Sequence, residues 1–160
     1  MALGAGVDED LLRLGVVGLH PGREAALPGD EFADLRVLEH LADPNAILAE
    51  VKRRLRPGGL LVVAVPNLDN LPLRAAYWVA RLRSLPLYEP GSREPHLSHF
   101  APGTLRLALV RHGLVDIEIR PDPCALTPAK RAIDAAAGWL SRLTGRLLTD
   151  AIVAFARRPR

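Results

Sequence analysis

The segment that most constrains the fold is a short apolar run behind a proline–glycine–glycine turn. Residues 60–65 read Leu-Leu-Val-Val-Ala-Val, and Pro57, Gly58 and Gly59 precede them. The run is too short for a helix and apolar on both faces, which is typical of a strand buried in a parallel sheet. Because a parallel strand needs a crossover connection from its neighbour, usually a helix, the residues before the turn should supply one.

Those residues predict a helix and a strand before it. Asp43 can cap free backbone N–H groups, and Pro44 is tolerated at the first helical position. Apolar side chains then recur at helical spacing: Ile47, Leu48, Val51 and Leu55. Residues 34–38 read as the preceding strand. Residues 31–66 therefore predict a βαβ unit with a right-handed crossover.

The chain after this unit alternates between helical and strand patterns. Helices are predicted over residues 73–85, 102–113 and 128–148, and strands over residues 115–120 and 151–156. Residues 86–95 contain three prolines and one glycine, so they predict an irregular loop. The predicted fold class is α/β, with a mostly parallel sheet, flanking helices and a C-terminal antiparallel strand pair.

Composition narrows the classes of function. The 21 Lys and Arg residues nearly balance 18 Asp and Glu, without the interleaved basic and aromatic stripe that single-stranded nucleic acid needs. The single cysteine, Cys124, excludes an internal disulfide and a Cys-rich metal cluster. The longest apolar run is far below the roughly 20 residues of a membrane span. We expect a cytoplasmic protein that binds neither nucleic acid nor membrane.

Two segments carry a family resemblance. Residues 32–44 read FADLRVLEHLADP and residues 55–67 read LRPGGLLVVAVPN. Together they resemble the fourth strand, the following helix and the fifth strand of class I S-adenosylmethionine-dependent methyltransferases. Residues 96–105, HLSHFAPGTL, resemble a segment of one branch of that superfamily, many of whose members act on sugars, lipids or small metabolites. The resemblance covers about residues 31–120 and implies an abbreviated Rossmann-like fold that uses S-adenosylmethionine to methylate a small molecule.

The front end resembles the family's cofactor-binding turn in part. Gly4 and Gly6 match two glycines of a GxGxG turn, in which glycine lets the backbone approach the cofactor closely. Asp8 stands at the third glycine position. The chain then corresponds to the carboxyl-terminal two-thirds of such an enzyme, with a degenerate or truncated cofactor-binding part over residues 1–30.

Two alignments of the next residues remain open. In one, residues 15–21 are the family's second strand, and His20 replaces the acidic residue that bonds both ribose hydroxyls. In the other, residues 16–19 are the third strand, and His20 replaces an adenine-contacting Asp. Neutral imidazole accepts only one hydrogen bond through its ring, so either alignment loses an acidic cofactor contact and deletes a βα element.

The resemblance and the strand ends together predict the site residues. The cofactor-binding residues would be Gly4, Gly6, His20, Glu39 and His40. Asn67 follows a strand, so it would reach the substrate or merely terminate the sheet. His96 and His99, three apart and on one face if helical, would be the catalytic residues, as a base or by facing substrate, or else would serve packing. No third ligand is apparent beside these two histidines, so the sequence predicts no metal site.

The expected organisation is a single methyltransferase-like domain over residues 1–160. Its parts would be the cofactor-binding part, a βαβ core over residues 31–67, a lid or loop region over residues 68–101 and a C-terminal part over residues 102–160. An exposed sheet edge would favour a homodimer. The rival function is a catalytically inactive methyltransferase-like protein that acts as a binding or oligomer partner. A third reading is that upstream sequence is missing from an ordinary methyltransferase.

Overall fold

The computed structural model describes residues 18–21, 31–35, 38–82, 96–122 and 128–160. Five strands and four α-helices lie in these ranges, together with one 3₁₀ turn, Leu38–His40. In chain order they are β1 (Gly18–Pro21), β2 (Glu31–Leu35), α1 (Pro44–Arg54), β3 (Leu60–Pro66), α2 (Leu71–Arg81), α3 (Pro102–Arg111), β4 (Val115–Asp122), α4 (Pro128–Thr144) and β5 (Ala151–Arg157). The predicted loop over residues 86–95 lies outside the described residues.

The structure contains the predicted strand–helix–strand unit, although its first strand, Glu31–Leu35, begins three residues before the predicted residues 34–38. β2 and β3 pair in parallel, and α1 connects them. The Asp43 carboxylate accepts hydrogen bonds from the backbone N–H groups of Asn45 and Ala46, both at 3.0 Å, so it caps α1 as predicted. Residues 61–65 of β3 are all buried, which agrees with the apolar character of both faces.

The sheet has the order β1-β2-β3-β5-β4, and its directions differ from the prediction. β2 and β3 are the one parallel pair among the described strands, and the other three pairs are antiparallel. The prediction of a mostly parallel sheet is therefore wrong for the described part of the chain. At β1 the reason is the length of its connection to β2. Residues 22–30 form this connection and are fewer than the dozen or so that a parallel crossover needs. Neither alignment of the residues around His20 anticipated this antiparallel pairing.

The predicted C-terminal antiparallel pair is confirmed, and its second strand is central in the sheet. β5 pairs with β3 along its whole length, from Leu60 opposite Arg157 to Pro66 opposite Ala151, and with β4 on its other side. The side chains of Ile152, Ala154 and Ala156 are completely buried. β5 therefore joins the βαβ unit to the C-terminal part of the chain.

Arg158, just after β5, ties that strand to α1. Its guanidinium donates to the carbonyl oxygens of Lys52 and Arg53, both at 3.0 Å, which lie in the helix's last turn and lack helical partners there. Its backbone carbonyl accepts from the N–H of Gly58 at 2.9 Å. Gly58 has φ +83°, a left-handed conformation that favours glycine. The glycine turn therefore follows the end of α1 and is also hydrogen-bonded to the residue after β5.

The hydrophobic core lies between the sheet, α1, α3 and the 3₁₀ turn. Its buried members are Leu35, Leu38, Leu48, Val51, Leu55, Leu61, Val63, Val65, Phe100, Leu105, Leu109, Leu114, Ile152, Ala154 and Ala156. This core fixes the carboxyl ends of β2 and β3 side by side. Within the described ranges, no helix has both the length and the apolar composition needed to cross a membrane.

Candidate functional site

The carboxyl end of β2 leads into the 3₁₀ turn, which presents two polar side chains beside the core. Leu38 opens the turn and is completely buried, while Glu39 is only 7% exposed. The His40 side chain is 24% exposed. The turn therefore buries a carboxylate beside an imidazole at the sheet edge where ligands bind in open α/β folds.

A second segment, residues 96–101, is attached to this turn through its backbone. The N–H groups of Leu97 and Ser98 both donate to the carbonyl oxygen of Glu39, at 2.7 and 2.9 Å. Phe100 is buried in the core, and its carbonyl oxygen accepts from the N–H of Leu68 at 2.8 Å. The segment is thereby held against the ends of both parallel strands.

This attachment brings four of the predicted site residues together. The ring centroids of His40 and His96 are 4.8 Å apart, and those of His96 and His99 are 6.4 Å apart. The Nε2 atom of His40 lies 3.7 Å from Oε1 of Glu39. We call Glu39, His40, His96 and His99 the Glu–His cluster. Residues 96–99 are not helical, so the shared helix face considered for the histidine pair does not arise, and backbone attachment positions both rings.

Glu39 is the electrostatically unusual member of the Glu–His cluster. Its Oε2 atom is buried and has no hydrogen-bond partner among the described residues. Burial raises the pKa of the Glu39 carboxyl above its usual range, while a hydrogen bond from its own backbone N–H and the charge of a protonated His40 act in the opposite direction. Buried polar atoms are nearly always hydrogen-bonded, so this oxygen has unused capacity to bind a donor or a cation.

Asn67, at the carboxyl end of β3, has a different environment. Its side chain is 2% exposed, and its amide group donates to the carbonyl oxygens of Leu147 and Thr149, both at 2.9 Å. Its Oδ1 atom accepts from the N–H of Asp69 at 3.0 Å. Both amide hydrogens are used within the chain, which favours the second predicted role, in which Asn67 terminates the sheet.

The remaining predicted site residues cannot be placed against the cluster. Gly4 and Gly6 lie outside the described residues. The structure describes only the backbone of His20, opposite Phe32 in the antiparallel pair of β1 and β2. Their predicted cofactor contacts stay predictions.

A carboxylate and a further imidazole lie close to His96. Oxygen and nitrogen atoms of Glu39, His40 and His96 all lie within 4.8 Å of one another, whereas the sequence showed no third ligand beside His96 and His99. Glu39 and His40 lie four and five residues after the end of β2, whereas His96 lies thirty residues after the end of β3. Their grouping therefore depends on the backbone contacts of residues 96–101 and has no signal in the local sequence.

Comparisons with known proteins bear on the middle of the chain. Residues 35–119 match a family described as "Methyltransferase domain". An uncharacterized 37.1 kDa protein in transposon TN4556 of Streptomyces fradiae is 55% identical over 38 residues, which are 24% of this chain and 11% of that protein. The chain thus spans about a tenth of the length of this curated relative.

Several solved structures resemble the chain more distantly. A SAM-dependent methyltransferase of Thermotoga maritima, described as a possible histamine N-methyltransferase, is 15% identical with a TM-score of 0.49, over 83% of this chain and 59% of the other. A S-adenosylmethionine-dependent methyltransferase of Mesorhizobium loti is 19% identical with a TM-score of 0.43, over 79% of this chain and 60% of the other. Likenesses at this level are too weak to assign a ligand or a reaction.

Proposed function

Since the match covers more than half of its length, the chain belongs to the methyltransferase-domain family, and we propose that it transfers a methyl group from S-adenosylmethionine to a small-molecule acceptor. The observation that carries the proposal is the Glu–His cluster. It places a buried carboxylate and three imidazoles at the edge where β2 and β3 end. Acceptor and methyl group would meet at this edge.

The residues at the strand ends fit such a cofactor. Its ribose hydroxyls and ammonium group are hydrogen-bond donors, and the Oε2 atom of Glu39 is a buried acceptor that lacks a partner among the described residues. A bound donor would remove the cost of leaving that oxygen unsatisfied. When bound, S-adenosylmethionine supplies a methyl group on a positively charged sulfur, which makes the methyl carbon electrophilic. Glu39 and His40 would hold the cofactor, as the sequence predicts.

The chain's own residues then provide position and a base. The cluster would hold a nucleophilic oxygen, nitrogen or carbon of the acceptor in line with the cofactor's carbon–sulfur bond, so that methyl transfer would leave S-adenosylhomocysteine as the second product. A proton on the nucleophile passes to His96 or His99, of which the first is half-buried and the second exposed. Imidazole suits this role because its protonation changes near neutral pH.

The rest of the pocket belongs to the front end of the chain. In this proposal Gly4 and Gly6 let the backbone approach the cofactor, and His20 takes the place of an acidic contact. Residues 1–160 would form a single domain, with residues 1–30 as its degenerate or truncated cofactor-binding part and residues 68–101 as its lid or loop region. β1 and β4 are the edge strands of the described sheet, and an edge strand can pair with a second chain. The predicted homodimer would form in this way, and a monomeric mass in solution would exclude it.

Calorimetric titration with S-adenosylmethionine and S-adenosylhomocysteine tests the proposal. We expect micromolar affinity, about −8 kcal/mol. Glu39→Gln should weaken binding about tenfold, because the buried acceptor becomes a neutral amide. Glu118→Gln is the matched control, since Glu118 is exposed on β4 and pairs with Arg120, and it should bind as the wild type does. If the folded wild-type chain binds neither compound, the proposal fails and the non-catalytic alternative replaces it.

A further inference from the structure

We propose that Glu39, His40 and His96 form a binding site for a divalent transition-metal ion of the zinc type. The ligand atoms of these three side chains lie within 4.8 Å of one another. The site combines a carboxylate with two imidazoles and belongs to the chain itself. It does not depend on the cofactor or on methyl transfer.

The distances are close to those that a metal ion requires. Zinc binds nitrogen and oxygen ligands at about 2.0–2.2 Å, so neighbouring ligand atoms in a tetrahedral site lie about 3.4 Å apart. Oε1 of Glu39 and Nε2 of His40 are already 3.7 Å apart. The widest separation needs to close by about 1.4 Å to reach the tetrahedral spacing. Closing this distance would fall to the His40 and His96 rings, which are both partly exposed.

Burial of Glu39 is the second, independent observation. Its side chain is only 9% exposed, and Oε2 has no hydrogen-bond partner among the described residues. A buried carboxylate oxygen without a partner is costly, whereas a bound cation satisfies it directly. The carboxylate sits beside both imidazoles, so one ion can contact all three side chains.

The ligand types select the class of ion. Two imidazoles and one carboxylate suit zinc and its first-row neighbours, whereas calcium and magnesium prefer oxygen ligands throughout. Three protein ligands leave a fourth position open, as in catalytic rather than structural zinc sites. If the proposed methyl transfer holds, an oxygen of the acceptor can occupy that position. His96 then serves as a ligand, and His99 remains as the base.

Titration of the chelator-treated full chain with Co²⁺ and Zn²⁺ tests the site without any activity measurement. Co²⁺ is followed by its visible absorption, and Zn²⁺ by calorimetry and by its effect on thermal unfolding. We expect one ion per chain with micromolar or tighter affinity, and a higher melting temperature for the ion-bound protein. A wild-type dissociation constant above about 1 mM, roughly −4 kcal/mol, would overturn the proposal.

Variants locate the ion. Loss of even an outer-shell partner of a metal site costs about 10–100-fold in affinity, so Glu39→Gln and His96→Gln should each weaken Co²⁺ binding at least a hundredfold. His112→Gln is the matched control, because that ring contacts the carbonyl oxygen of Ala108 at 2.7 Å, at the end of α3, and its affinity should stay within about threefold. Equal affinity in wild type and Glu39→Gln, both folded by circular dichroism, would refute the site.

The outcome for the metal can be separated from the outcome for methyl transfer. Co²⁺ binding without S-adenosylmethionine binding would leave the metal site standing and refute the proposed function. S-adenosylmethionine binding without Co²⁺ binding would refute the metal site and leave the proposed function standing.

Discussion

Glu39 and Asn67 follow neighbouring parallel strands and lie at the same edge of the sheet, yet their side chains are bonded very differently. Asn67 uses both amide hydrogens and its oxygen within the chain. Glu39 keeps one buried oxygen without a partner among the described residues. The sequence placed both residues at strand ends, where ligands lie in open α/β folds, and left Asn67 with two alternative roles, to reach the substrate or to terminate the sheet.

The difference teaches that a strand-end position alone does not identify a binding residue. A polar side chain that is saturated by its own chain stabilises the fold, whereas one that is buried and unsatisfied carries a cost that a ligand can remove. We therefore expect opposite effects on the free energy of unfolding from Asn67→Asp, which should destabilise the fold, and from Glu39→Gln, which should stabilise it.

The largest expected effect on stability comes from Asn67→Asp. A carboxylate there would face the carbonyl oxygens of Leu147 and Thr149, which now accept amide hydrogens. It would be a buried charge that keeps only the hydrogen bond from the N–H of Asp69. We expect a loss of about 3–5 kcal/mol in the free energy of unfolding at neutral pH, measured by denaturant titration. Asn45→Asp is the control, since Asn45 is exposed in the first turn of α1, and it should change stability by less than about 0.5 kcal/mol. Equal losses in both variants would contradict the role assigned to Asn67.

The next effect concerns activity and not stability. If His99 accepts the proton, His99→Gln should lower kcat about 10²–10⁴-fold once an acceptor is identified, while S-adenosylmethionine affinity and melting temperature stay close to wild type. His112→Gln should leave kcat unchanged. Normal kcat in His99→Gln would assign the base to another residue.

Glu39→Gln should have the opposite sign to Asn67→Asp. The pKa of Glu39 is raised in the folded protein above 4.5, its ordinary value, so its stabilising contribution is complete below pH 4.5 and lost as the pH rises through the folded value. At neutral pH the neutral amide should therefore stabilise the metal-free protein by roughly 1 kcal/mol. That gain should vanish below pH 4.5 in unfolding titrations across the pH range. A loss of stability at pH 7 would show that the carboxylate is satisfied by contacts of its own.

The smallest expected effect on stability comes from Glu50→Gln in α1, which should slightly lower the melting temperature at neutral pH. Hydrogen bonds from Arg53 and then Arg54 lower the pKa of Glu50 to about 2. Its stabilising contribution is therefore present above pH 4.5 and lost as the pH falls through about 2. Because this carboxylate is partly exposed at the protein surface, salt should screen much of its interaction with the two arginines. Melting temperatures of the wild type and of Glu50→Gln at low and high salt check this expectation. A difference at pH 7 that does not depend on salt would contradict it.

The local pattern of the sequence was sufficient for the βαβ unit but not for the sheet around it. Asp43, Pro44 and the glycine turn are signals within a few residues of the helix they delimit, so α1 and β3 were predicted closely. Strand direction depends on connection length and on partners far along the chain. The antiparallel direction of β1 was therefore missed, although both alignments placed a strand there and the antiparallel pair of β4 and β5 was predicted.

The candidate site was predicted residue by residue but not as an arrangement. Glu39, His40, His96 and His99 were all named from the sequence, and the structure brings them together. Their grouping depends on two backbone hydrogen bonds to the Glu39 carbonyl oxygen, which no periodicity encodes. The saturation of Asn67 likewise comes from residues about 80 positions away.

The central place of β5 also sets the order in which this protein can assemble during synthesis. β5 leaves the ribosome after every other described strand, yet it lies between β3 and β4 and supplies Ile152, Ala154 and Ala156 to the core. Until it emerges, the nascent chain lacks the strand that covers one edge of β3 and that pairs with β4 in the described sheet. Such long-range pairing slows folding and prolongs exposure of apolar surface. A nascent chain that is stalled or ended before residue 157 should therefore depend on chaperones. The full-length chain should become resistant to protease only after residue 157 has left the exit tunnel.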